Sequence, residues 1–340
     1  MTDPIKVFSS CLRGMLVAGE GKELIALDFA GIESRIVAWI SGDTKKLAAF
    51  EAYDRGEGPN NYVLTYSSIF QVPYDRIKKG TIQYLIGKII ELAMGFEGGI
   101  GALIQAFNQA EAQTGISLEM LTEMAWGKLH PQAMESAQWM LDNGYLRGHG
   151  LPDRTLLVLD ALKAAWRLAH PATADRETGA WRQLKDAAIS AVKEPGKVFT
   201  IDSGLVHFKV IGDWLYLRLP SGRRMAYYKP NVREATRGEV LRYQGIDTEK
   251  RIWMETSTYG GKLMQNVAEG VGRDLLVHGM QSLEYAGVPM IMCVHDEAVG
   301  EAPAGQLTLD EATRIFLSPP KWATGLPLAA EGFMDRRYRK

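Results

Sequence analysis

Two aspartates carry the first chemical signal. Asp28 ends the apolar run Leu24-Ile25-Ala26-Leu27, and Asp296 follows the apolar run Met290-Ile291-Met292-Cys293-Val294 inside a His295-Asp296-Glu297 tripeptide. Each run reads as a buried strand. An aspartate at a strand end is often only a turn or capping residue, but a second one far down the chain, in the same kind of place, adds weight. If the two strands are neighbours in one sheet, the carboxylates converge and repel. Divalent cations bridging them are the usual remedy. A pair of Mg²⁺ ions about 3.5–4 Å apart would activate a hydroxyl nucleophile and neutralise a leaving phosphate in an in-line displacement.

A lysine supplies the opposite charge. Across Gln83–Leu103, helical spacing puts Tyr84, Lys88, Leu92 and Phe96 on one stripe. Such a stripe is usually a core face, where a lysine is costly without a partner unless it snorkels to the surface. Beside the glycine-rich Gly95, Gly98, Gly99 and Gly101, the same lysine could instead grip a phosphate while the stripe packs on a base. A basic stretch adds to this. Arg218–Arg251 holds nine Lys/Arg against four Asp/Glu, interleaved with Tyr227, Tyr228 and Tyr243, and the tail adds Arg336, Arg337, Arg339 and Lys340. That pattern suits either a solvated face or a phosphate-contacting one. Together the parts fit nucleotidyl transfer: two metal-holding aspartates, a helical lysine and a basic groove.

The elements that must position these groups follow from the pattern. Gly31 breaks the chain after Asp28, and a helix begins with Glu33 in its first turn. Helices are predicted from Thr44 to Val72, broken at Arg55–Asn61, and through most of 104–199. The period then changes to strands at Val198–Ile201, Val206–Val210 and Trp214–Leu219, with Pro220-Ser221-Gly222-Arg223 as a hairpin turn. Thr258-Tyr259-Gly260-Gly261-Lys262 opens a helix to about Tyr285, Ala298–Glu301 reads as the strand returning from the His-Asp-Glu turn, and Pro319–Lys340 reads as loop. The 340 residues, 46% hydrophobic and 23% charged with net charge −1, suit two or three globular subdomains. No long apolar run suggests a membrane span, and no signal peptide is visible. Two cysteines, Cys11 and Cys293, do not make a disulfide framework, so a reducing cytoplasm is expected.

Three stretches resemble the polymerase motifs of family A DNA polymerases, the bacterial polymerase I type, and its phage-encoded branch in particular. ALDFAGIESRIVAWISGD resembles motif A, GKIIELAMGFEGGIGAL motif B and CVHDEAVGE motif C; TYGGKLMQNVAEGVGRDLL and WATGLPLAAEGFMDRRYRK also look like phage members. The resemblance covers nearly the whole chain in the family's order. It implies an α+β fold: a right-hand polymerase palm, an antiparallel sheet with helices, plus helical fingers. The segments would be palm at 1–44, fingers at 45–199 and palm again at 200–340. It implies template-directed addition of dNTPs to a primer with two Mg²⁺ ions, or Mn²⁺ in their place, on primer–template DNA, in the cytoplasm of a phage-infected host.

By the same resemblance, Asp28 and Asp296 bind metal, with the Phe29 carbonyl and the acidic neighbour Glu297. Glu33 excludes the ribose 2′-hydroxyl, and Lys88 contacts the incoming phosphates. Leu92 and Tyr84 line the nucleotide, and Phe96, normally tyrosine, stacks near the templating base. His295 lies beside the primer terminus, and Gln265, Glu269, Arg273 and Arg223 contact primer or template. Tyr84 stands where the family has a triphosphate-binding arginine, and Glu269 where it has a glutamine, with Gln265 one turn earlier as a substitute. Only 27 residues precede Asp28, where relatives carry a thumb and often an exonuclease domain. Three origins fit: a piece of a longer protein, a split polymerase whose partner chain bears the thumb or exonuclease, or a reduced natural form. The rival reading is a non-catalytic or partner-dependent DNA-binding subunit.

Overall fold

Strand β1 (Lys22–Phe29) buries Leu24, Ile25, Ala26, Leu27 and Phe29. Successive strand side chains point to opposite faces, so this run is covered on both sides and must be a central strand. The computed structural model describes residue 8 and residues 11–236, 238–247 and 250–339; Arg237, Glu249 and Lys340 of the basic segments lie outside the described residues, as do most of the first ten. After β1 come helices α1 (Ile32–Ser41), α2 (Thr44–Asp54), α3 (Asn61–Phe70), α4 (Ile82–Met94), α5 (Ile100–Thr114), α6 (Leu118–Ala125), α7 (Pro131–Asp142), α8 (Asp153–Ala169), α9 (Pro171–Ala174) and α10 (Ala180–Lys193). Strands β2 (Val198–Thr200), β3 (His207–Ile211), β4 (Trp214–Arg218), β5 (Arg224–Ala235), β6 (Gly238–Ile246) and β7 (Trp253–Thr258) follow. The chain ends with α11 (Gly260–Tyr285), β8 (Met290–Val294), β9 (Glu297–Pro303), α12 (Leu309–Phe316) and β10 (Ala330–Asp335). No described helix is long and apolar enough to cross a membrane.

The chain divides into two compact units, Met1–Ile36 with Ala268–Lys340, and Val37–Val267. These divisions differ from the three segments read from sequence. The first unit is built on a four-stranded antiparallel sheet of order β10-β1-β9-β8. One face carries Leu24, Ala26, Val299 and Tyr338, with Phe333 against them. On the other, α12 packs on β1 and the Phe29 and Phe316 rings lie 4.5 Å apart. β10 falls in the stretch read as loop. Its sequence, AEGFMD, has neither alternation nor a branched run, and it is held as an edge strand by register with β1, Leu24 to Asp335 through Phe29 to Ala330.

The second unit holds the helical middle and a separate six-stranded meander, β2-β3-β4-β5-β6-β7. The strands thus form two antiparallel sheets. The meander pairs each strand with its sequence neighbour, which short hairpins allow, whereas β1 pairs with strands from the far end of the chain. The helices surround a buried polar knot. Glu91 of α4 accepts hydrogen bonds from Lys46 of α2, Thr65 of α3 and the Trp166 indole of α8. His170 stacks on Trp166 at 4.2 Å and its Nδ1 meets the Trp166 carbonyl at 2.8 Å. A carboxylate buried with an ammonium and two neutral donors is fully engaged, and removing one partner from such a set is far more damaging than the set's net worth.

Two expectations follow. Burial, and then the Lys46 charge, hold His170 down to about 4, so between roughly pH 6.5 and 4 the unfolded chain binds a proton there and the folded chain does not. Unfolding free energy should fall on acidification through that window, by at most about 1 kcal/mol per pH unit, and fall less in His170→Gln; urea unfolding at neutral and acid pH reads this. In α4, a Cβ on Gly87 would sit 2.1 Å from the Tyr62 carbonyl oxygen. Helix propensity favours Gly87→Ala by about 1 kcal/mol, but overpacking against backbone costs about 1–3 kcal/mol, so the variant should melt lower, not higher.

Candidate active site

In the first unit, Asp28 is the penultimate residue of the central strand and Asp296 lies in the two-residue turn between β8 and β9. Their strands are not direct neighbours: β9 returns between β8 and β1. Convergence comes through that return strand. Asp28 stands opposite Glu297, and the Phe29 N–H donates to the Asp296 carbonyl at 3.4 Å. The turn is tight enough to hold His295 at φ +55, the left-handed region that few non-glycine residues adopt. His295 is thereby exposed while Asp296 is half-buried.

The same end of the sheet is rich in carboxylates. Asp28 is in register with Glu297 on one side and with Glu331 of β10 on the other. Like charges directly across strands destabilise a sheet, so something must neutralise or divert them. Glu297 is diverted: it is buried, and its carboxylate accepts a hydrogen bond from the Tyr338 hydroxyl, itself buried. Glu33, exposed as a residue, has a carboxyl partly stripped of water. That desolvation first, then the charges of Glu269 and Asp296, raise its pKa. Among the described residues no group of three or more His, Cys, Asp and Glu side chains is arranged to hold a metal ion by itself. Asp28, Asp296 and the Phe29 backbone lie at the same end of the sheet, and carboxylate and carbonyl oxygens are the donors that hard divalent cations take.

Two supports escaped the sequence. Arg35 is 1% exposed and donates through Nε to the Ala30 carbonyl at 2.8 Å and through Nη1 to Pro327 at 3.4 Å, tying the turn after Asp28 to the loop before β10. Its signal was present, since an arginine directly before the apolar run Ile36-Val37-Ala38-Trp39-Ile40 demands partners if it is buried. Tyr338 gave none, because its contact with Glu297 spans strands that only folding brings together. Arg273, exposed on α11, donates to the Cys293 sulfur at 3.2 Å, and Glu269 is exposed on the same helix.

The remaining predicted residues belong to the second unit. Thr81 caps α4, its hydroxyl accepting from the Tyr84 N–H. The buried stripe of α4 is Ile86, Gly87, Ile90, Glu91 and Met94, while Lys88 and Leu92 face outward, Lys88 with its ammonium 5.9 Å from the Tyr62 ring centroid. Tyr84 is buried edge-on to Tyr62, at 5.7 Å. The helix stops at Met94, so Phe96 is half-buried in the turn beyond it and not on the helical stripe. Glu97 follows at φ +63, and its carboxylate accepts the Gly261 N–H at the start of α11. Gly261 must lack a side chain there, since a Cβ would lie 2.3 Å from the Phe96 oxygen. Gln265 accepts from Lys262, and Arg223 is exposed in the β4–β5 turn.

No family model matches the chain. It is similar to the solved POL domain of Pol1 from M. smegmatis in complex with DNA primer-template and dNTP, with TM-score 0.48 and 18% identity, covering 96% of this chain and 42% of that one. It is also 34% identical to a curated protein named DNA polymerase from Bacillus phage SP02, over 336 residues. That match takes in 98% of this chain but only 44% of the relative's length. The chain is therefore a homologue of a phage DNA polymerase, aligned along nearly all of its own length.

Proposed function

We propose that the chain catalyses template-directed DNA synthesis, adding deoxynucleotides to a primer end. The reading rests on one observation: Asp28 and the Asp296 turn meet at one end of one sheet, from opposite ends of a chain homologous to a phage DNA polymerase. In the reaction the primer 3′-oxygen forms a bond to the α-phosphorus, the bond from that phosphorus to the β-phosphate oxygen breaks, the hydroxyl proton departs and pyrophosphate leaves. Asp28, Asp296 and the Phe29 carbonyl would hold Mg²⁺ or Mn²⁺, which when bound lowers the pKa of the hydroxyl and screens the phosphates. Glu297, engaged by Tyr338, acts better as a brace for the β9 end than as a ligand.

The outward-facing Lys88 is suited to the incoming triphosphate, and Leu92 and Phe96 to the base. Tyr84, buried against Tyr62, contributes packing and no charge, so Lys88 carries more of the phosphate binding. Glu33 is the candidate for rejecting a ribose 2′-hydroxyl. His295, Gln265, Glu269, Arg273 and Arg223 are the candidates for primer and template contact. A thumb- or exonuclease-bearing partner, or further chain of the same protein, remains part of the proposal, as does action inside a phage-infected cell.

Primer extension with dNTPs and Mg²⁺ tests the core. The parent is expected to extend, and Asp28→Ala and Asp296→Ala each to lose about 10²–10³-fold or more, the scale for removing one electrostatic stabiliser of a transition state. A parent inert even at low salt with Mn²⁺ would sink stand-alone catalysis and favour the partner-dependent reading. The selectivity of Glu33 is separable. Glu33→Ala should raise incorporation of ribonucleotides relative to deoxynucleotides in a competition assay, and an unchanged ratio would remove Glu33 from that role.

A further inference from the structure

The meander has two unlike faces. Phe208, Val210, Leu215, Leu217, Tyr227 and Leu241 are all buried, and α10 packs on β2 through β6. The alternate residues line the other face in rows set by the register. One row is Thr200, His207, Arg218 and Arg224; the next is Val198, Lys209, Tyr216 and Ala226. The third is Ile211, Trp214, Tyr228, Gln244 and Glu255. Directly opposed residues share a face.

The first two rows contain Lys209, Arg218 and Arg224 and no carboxylate. Burial and then Arg218 lower the pKa of His207, which disfavours its charged form. The carboxylate of the third row, Glu255, is already taken by Arg233 and Arg242. Large apolar groups lie open on the same face: Val198 is 57% exposed, Ile211 49% and Trp214 38%. Beside Val198 and Ile211 is a cavity of about 340 Å³, lined also by His207, Phe208, Lys209, Tyr216, Arg218 and Arg224. The Arg224 guanidinium lies 6.0 Å from the Tyr216 ring centroid, so ring and cation border one space. Rings continue across the sheet, Trp214 to Tyr228 at 4.7 Å and Tyr228 to Trp253 at 6.3 Å.

An apolar slot beside an aromatic ring, rimmed by cations and followed by further rings, asks for a ligand with flat apolar faces and regularly spaced negative charge. An acidic peptide supplies the charge without the flat faces, and duplex DNA hides its bases. We infer that this face binds single-stranded DNA, one unpaired base seating in the cavity on Tyr216 with its flanking phosphates on Lys209, Arg218 and Arg224. Stacking on rings with a cationic track is how proteins hold single strands without reading sequence. That the strand is unpaired template rests on the polymerase reading; the affinity of the face does not.

Fluorescence anisotropy of the full chain with a short labelled oligothymidylate, and with an abasic strand of equal length, tests this. Tyr216→Leu is expected to weaken oligothymidylate binding about tenfold, to leave abasic binding unchanged, and to be rescued by Tyr216→Phe. Arg218→Gln with Arg224→Gln should reduce the salt slope by about 1.4 on both strands. Unchanged affinity in every variant, or an equal loss on the abasic strand with Tyr216→Leu, overturns the site. Sedimentation showing that the substitutions dissolve a self-associated chain without altering DNA affinity also overturns it, and makes the face an interface between copies. Extension of a primer with a one-nucleotide template overhang, run alongside, reads the polymerase reading separately: no incorporation with intact Tyr216-dependent binding sinks that reading and leaves the site standing.

Discussion

Everything at the candidate site depends on the pairing of β1 with β9. That register sets Asp28 opposite Glu297 and brings the Phe29 N–H to the Asp296 carbonyl. It also concentrates negative charge, with Glu331 on the other side of Asp28 and Glu33 feeling Glu269 and Asp296. A sheet built only for stability would not place like charges in register. The cost is met locally by diverting Glu297 to Tyr338 and by clamping the Ala30–Gly31 turn with Arg35.

The second unit solves a different problem, that of presenting side chains from a helix whose other face is deeply buried. α4 can leave Lys88 and Leu92 outside because Ile86, Ile90 and Met94 anchor it and Glu91 is bound by α2, α3 and α8 at once. Gly87 lets α3 and α4 approach to backbone contact. The turn after the helix is fixed as firmly. Glu97 adopts a left-handed conformation and caps the start of α11, so the half-buried Phe96 is held by neighbours on both sides. Such strain in a non-glycine residue persists only where surrounding contacts over-determine it.

Tyr84 and Glu269 mark where this chain parts from the pattern of the resemblance. Tyr84 has a structural use, packing edge-on to Tyr62, whose ring also lies near the Lys88 ammonium. Glu269 raises the pKa of Glu33, so its charge acts within the carboxylate cluster. The chain spans 44% of the length of its phage relative. The proposed single-strand track on the meander is built from rings and cations.

The sequence by itself determined the local facts. Apolar runs ending in aspartate gave β1 and β8, the Gly-Gly before Lys262 marked the start of α11, and the hairpin at Pro220–Arg223 was legible because turn chemistry is written in neighbouring residues. It also carries the likeness to a phage DNA polymerase, 34% identical over 336 residues. Tertiary structure decided what depends on partners distant in sequence. β10 is a strand only because β1 offers it a ladder, and the meander is a sheet of its own because each strand pairs next door. Lys88 faces outward because Glu91 and Ile90 claim the core, and Glu297 is buried where the Tyr338 hydroxyl donates to it. Periodicity records which face a residue shares, whereas burial and hydrogen bonding across strands are set by residues tens or hundreds of positions away.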